Sequence, residues 1–79
     1  MATIEEKLRQ LIVTHLNVRL EDISLTSSYV MDLGADDLDM EEFLREVEGA
    51  FDIEIPDDEK QRITTVYQTI DFVNANLRY

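Results

Sequence analysis

Residues 32 to 42 run Asp32-Leu33-Gly34-Ala35-Asp36-Asp37-Leu38-Asp39-Met40-Glu41-Glu42, a glycine turn followed by a cluster of acids. Leu33 through Asp36 has the make-up of a turn running into a helix cap. Gly34 is free to adopt a positive φ, and Asp is a strong N-cap residue. The acids that follow, Asp39, Glu41 and Glu42, suit the positive end of a helix dipole. A helix is therefore expected to start near Asp36 or Asp37. Leu38, Phe43, Leu44, Val47 and Phe51 supply its inward stripe. Gly49 is expected to loosen its last turn.

Upstream, Thr3 and Glu6 have the spacing of a capping box. Behind them Ile4, Leu8, Leu11, Ile12 and either His15 or Leu16 recur at helical spacing. This predicts a first helix over about residues 4 to 16. Residues 17 to 36 then form a long connection with no sustained period. Loops of that length in compact domains are usually functional or internally packed. Ile23, Val30 and Leu33 are the residues expected to anchor it to the helices.

Downstream, Ile53-Glu54-Ile55 alternates too briefly for a strand, and Pro56 ends the segment. Asp57 to Arg62 allows a short third helix held down by Ile55 and Ile63. Thr65 and Gln68 repeat the capping-box spacing, with an apolar set at Val66, Ile70, Val73 and Leu77. The expected architecture is all-α: a four-helix bundle of three main helices and one short one, with a long first loop. At 79 residues the chain is expected to be a single domain, 1–79, with a thin core.

Charge narrows the function. There are 18 acidic side chains against 7 basic ones, a net charge of -11, which disfavours nucleic acid and anionic membranes as partners. Partners presenting Lys and Arg are favoured instead, with an attraction that weakens as salt rises; solubility alone is the plainer reading of the same excess. No apolar run approaches the roughly 20 residues of a membrane span, and the N-terminus is not a signal peptide. A cytoplasmic monomer is the expectation. The absence of cysteine excludes disulfides and thiolate metal sites. The acids around Gly34 do not have the spacing of an EF-hand loop, so no dedicated metal site is expected. His15, the one histidine, has no neighbouring nucleophile to activate; its place near the end of the first helix suits a cation. Met1, Met31 and Met40 read as fillers, and Tyr67 and Tyr79 as partly buried amphipathic residues.

A resemblance extends through the chain in order. Ser27-Ser28-Tyr29, the stretch from Asp32 to Glu42, Phe51-Asp52-Ile53-Glu54-Ile55-Pro56, Ile63-Thr64-Thr65-Val66 and Ile70-Asp71-Phe72-Val73 are similar to the corresponding stretches of acyl carrier proteins. In that family Asp-Leu-Gly-Ala-Asp is followed by serine, leucine and an acid. The resemblance implies a helical carrier and not an enzyme. Its serine oxygen, at the start of the second helix, bears 4'-phosphopantetheine, whose thiol carries an acyl chain in fatty acid, polyketide or related pathways. A helix N-terminus suits the phosphate. The acidic second helix implies a docking face for basic patches on synthase enzymes, here Asp36, Asp39, Met40, Glu41, Glu42, Arg45 and Glu48, with Met40 beside the mouth of an acyl groove.

The pattern breaks at Asp37, which stands where the family has its serine. A carboxylate joined to a phosphate is a mixed anhydride that water hydrolyses, so no stable attachment is expected there. Read structurally, Asp37 is a second acid stabilising a helix start by about 0.3–1 kcal/mol. Read functionally, it is a disabled attachment site. Glu41 and Arg45 replace apolar residues of the family and stand four apart, spaced for a surface ion pair. Their polarity supports a second expectation, an interaction or regulatory module that keeps the carrier fold as an acidic docking platform without cargo.

Overall fold

The computed structural model describes residues 3 to 77 as four helices: α1 (Ile4–Leu16), α2 (Asp37–Phe51), α3 (Asp57–Arg62) and α4 (Val66–Asn76). One 3₁₀ turn, Leu20–Asp22, lies in the long connection. No strand occurs among the described residues; Ser28 and Thr65 meet in an isolated antiparallel bridge. The all-α architecture with one short helix is as the sequence predicts.

Three of the four helix starts are fixed by reciprocal side-chain caps. Thr3 and Glu6 satisfy each other's backbone N–H at the head of α1, Asp36 and Asp39 do so for α2, and Thr65 and Gln68 for α4. Each box satisfies two N–H groups that a helix start leaves without intrahelical partners. The C-termini of α1 and α2 use the left-handed region, at Asn17 (φ 56°) and Asp52 (φ 53°). Gly34 turns the chain into α2 with φ 75°. Gly49 does not break α2, which runs on to Phe51 and ends where the Asp52 and Ile53 N–H groups both return to the Glu48 carbonyl.

The core is assembled from all three long helices and from the loop. Leu8 and Ile12 of α1, Phe43 and Val47 of α2, and Val66 and Val73 of α4 are completely buried. So is Tyr29, whose ring lies 5.1 Å from that of Phe43, in tilted contact. Ile23 and Leu33 anchor the connection as expected, but Val30 does not: it is 55 % exposed. The reason is local. The backbone of Tyr29 is pinned to the Thr64 carbonyl and to the Ala35 N–H, which commits Tyr29 to the interior and leaves its neighbour outside. Arg9 holds the same connection from α1, donating to the Ile23 carbonyl at 2.7 Å.

Three further apolar expectations are corrected. Leu38, placed in the inward stripe of α2, is 61 % exposed, because at 3.6 residues per turn it stands on the side of the helix opposite the fully buried Val47. Met31 is exposed rather than a filler, and Tyr67 is exposed rather than partly buried. Met1 and Tyr79 lie outside the described residues.

Candidate functional site at the head of α2

The site begins with the turn at Gly34 and the cap at Asp36. Asp36 accepts the Asp39 N–H at 2.8 Å, and Asp39 accepts the Asp36 N–H at 3.1 Å. Two of the carboxylates singled out in the sequence are thereby committed to holding the helix start. Asp37 is the first residue of α2 and is exposed, with no hydrogen bond or ion pair from its side chain among the described residues. Leu38 beside it is also exposed, so the tip of the helix presents one acid and one apolar side chain to solvent.

Behind the tip, α2 and α3 flank a cleft of about 420 Å³. Asp37, Met40, Glu41 and Leu44 line one wall; Asp57, Lys60 and Gln61 line the other. The helical spacing of 37, 40, 41 and 44 accounts for the first wall. Met40 is half-buried at this opening. Asp57, Lys60 and Gln61 had no signal in the sequence as site residues, because only the folding back of α3 brings them opposite α2.

Glu41, Glu42 and Arg45 are exposed on α2. The Glu41–Arg45 ion pair expected from their spacing is absent among the described residues, whose ion pairs lie elsewhere. Two exposed side chains gain little Coulomb energy in water and lose rotamer freedom on pairing, so both stay in solvent. Glu46, one turn from Glu42, faces α1, with its carboxylate 3.9 Å from His15 Nε2.

Glu48 is different in kind. Its Oε2 accepts the Ile55 N–H at 2.9 Å, and its Oε1 lies 3.5 Å from Lys60 Nζ. It is half-buried and turned toward α3, away from the open acidic face.

No three acids or histidines among the described residues gather closely enough to hold a metal ion. No described helix is long and apolar enough to cross a membrane. A protein-family model, the phosphopantetheine attachment site, matches residues 6–73. The match runs from the first helix into the last and takes in the Gly34 turn, α2 and the cleft. This chain belongs to the phosphopantetheine attachment site family, whose domains are carriers and not enzymes.

Proposed function

We propose that this chain is a carrier-type docking domain of fatty acid, polyketide or related acyl pathways, one that is not loadable at residue 37. The observation that carries this reading is the head of α2, where an exposed carboxylate, Asp37, opens a helix without a single serine or threonine. The family's group, 4'-phosphopantetheine, does not fit such a residue, since its phosphodiester requires a hydroxyl oxygen. The nearest serine hydroxyls upstream are employed otherwise: Ser28 Oγ accepts the Met31 N–H, and Ser27 is buried with its Oγ on the Ser24 N–H.

What the head of α2 offers in place of attachment is a charged surface. Asp36, Asp39, Met40, Glu41, Glu42 and Arg45 form the proposed docking set for basic patches on acyl-pathway enzymes; Glu48, expected in that set from the sequence, drops out of it because its carboxylate is turned to the Ile55 N–H and Lys60. The net charge of -11 draws such partners in and repels nucleic acid. The chain is proposed to act as one domain over residues 1–79, as a cytoplasmic monomer.

The test is intact mass after incubation with coenzyme A and a broad-specificity phosphopantetheinyl transferase, beside the Asp37→Ser variant. Gain of one phosphopantetheine by the serine variant alone is the expected result. Gain by the unaltered chain would place attachment at another residue and overturn the reading.

A second reading, a non-carrying interaction or regulatory module that keeps the carrier fold as an acidic docking platform, is favoured by the polar Glu41 and Arg45 on the exposed face of α2. It predicts that Asp37→Ser also stays unmodified beside a reactive control carrier.

A further inference from the structure

α3 is six residues long, and none of them is buried. Its N-cap is Pro56, and no side chain caps its first turn. A helix of this length does not hold itself together in water. Two buried side chains just outside it, Ile55 and Ile63, pin its ends. Between those pins, one carboxylate from another helix reaches it.

That carboxylate is Glu48. Oε2 accepts the Ile55 N–H at 2.9 Å, and Oε1 stands 3.5 Å from Lys60 Nζ. The pair is partly sheltered, with 22 % of the Glu48 side chain and 32 % of the Lys60 side chain exposed, so solvent and salt screen it less than a fully exposed pair. Glu48 is also fixed through its backbone, because its carbonyl receives the two N–H groups that end α2. A rigid helix end therefore grips the loop before α3 with one oxygen and the helix itself with the other. Lys60 in turn belongs to the wall of the cleft opposite Asp37 and Glu41.

We propose that Glu48 and Lys60 form a latch that holds α3 against α2 and sets the width of the cleft between them. Glu48 is a positioning residue in this role: it acts through α3. With the latch broken, α3 loses its ion pair to α2 and is held at its ends by Ile55 and Ile63, and the cleft widens. The latch stands whether or not the face of α2 docks a partner, because both of its members are in this chain.

The chain contains no cysteine, so a pair of spin labels introduced by Glu41→Cys and Gln61→Cys reports the cleft width directly by pulsed electron resonance. The labelled parent should give one narrow distance distribution. Lys60→Gln and Glu48→Gln, each added to that parent, should broaden it and shift it to longer distances. Glu48→Ala should do so most, since it also frees the Ile55 N–H; loss of one such hydrogen bond shifts an opening equilibrium by about tenfold. Amide exchange in α1 and α4 should stay at the parent's level in Lys60→Gln. Superimposable distributions in the parent and Lys60→Gln would overturn the latch. So would loss of protection spread evenly over all four helices, which would make the pair a general stabiliser and not a latch.

Discussion

Tyr29 and Thr69, separated by 40 positions in the chain, share a hydrogen bond between their hydroxyls inside the core. Thr69 Oγ1 donates onward to the Thr65 carbonyl at 3.1 Å, so the phenol is the donor to Thr69. The contact ties the long first connection to α4 just behind the Thr65 cap. It also satisfies two buried hydroxyls with each other, and no buried side-chain polar atom among the described residues lacks a partner.

Tyr29→Phe should therefore cost about 1 kcal/mol, the net worth of one intramolecular hydrogen bond. The cost stays modest because Thr69 keeps its bond to Thr65. Urea denaturation should show a lower midpoint with an unchanged slope. A loss near 3 kcal/mol would mean that Thr69 cannot retain its remaining partner.

The same burial fixes a pH dependence. Desolvation by burial raises the Tyr29 phenol above the ordinary tyrosine range. Above about pH 10 the unfolded phenol releases its proton while the folded one keeps it. The unfolded state then binds fewer protons, so stability falls as pH rises, and the contribution is fully present only below that pH. Tyr29→Phe should flatten the fall in stability between about pH 10 and 12. Equal alkaline slopes in the two proteins would contradict the assignment.

Asp36 offers a test of the cap apart from charge. Asp36→Ala should destabilise by about 1 kcal/mol through loss of the bond to the Asp39 N–H. Asp36→Asn removes the same charge but keeps a capping oxygen, so it should stay within a few tenths of a kcal/mol of the parent. If both variants lose equally, the carboxylate acts through the helix dipole and not as a cap.

These caps explain why so much of the fold is legible in the sequence. Thr3 and Thr65 each announce a helix through a partner three residues on, Asp36 through its own capping preference, and α1 runs over the residues the spacing predicts. The connection before α2 is not legible in this way. Nothing local distinguishes Tyr29, which is buried, from Val30, which is not; the choice is made by the Thr64 carbonyl 35 positions away. The candidate site divides along the same line. Asp37, Met40 and Glu41 follow from helical spacing, whereas Lys60 and Asp57 enter only when α3 folds across α2. Glu48 looked like one more surface acid because its partner, the Ile55 N–H, is a backbone group that no side-chain pattern reveals.

Charge reversal on the open face of α2 separates docking from folding. Glu41→Lys with Glu42→Lys should slow association with a basic acyl-pathway enzyme by on the order of tenfold at low salt, with the difference shrinking as salt is added. Stability should change by less than about 0.5 kcal/mol, because both side chains are exposed and neither is in an ion pair among the described residues. Unchanged association kinetics would remove this face from the docking set.

The sharpest contrast lies within the connection itself. Ile23 is 6 % exposed and joined to Arg9 through its carbonyl, while Val30 is 55 % exposed. Ile23→Ala removes buried methylenes and leaves a cavity beside α1, which should cost about 2–5 kcal/mol. Val30→Ala removes atoms already in water and should change stability by less than about 0.5 kcal/mol. The Arg9 bond survives Ile23→Ala because it is made to the backbone, so the loss reports packing and not the anchor. Thermal melts of the two variants decide it. Similar melting temperatures would mean that the connection is held by its hydrogen bonds, with Ile23 contributing little to the core.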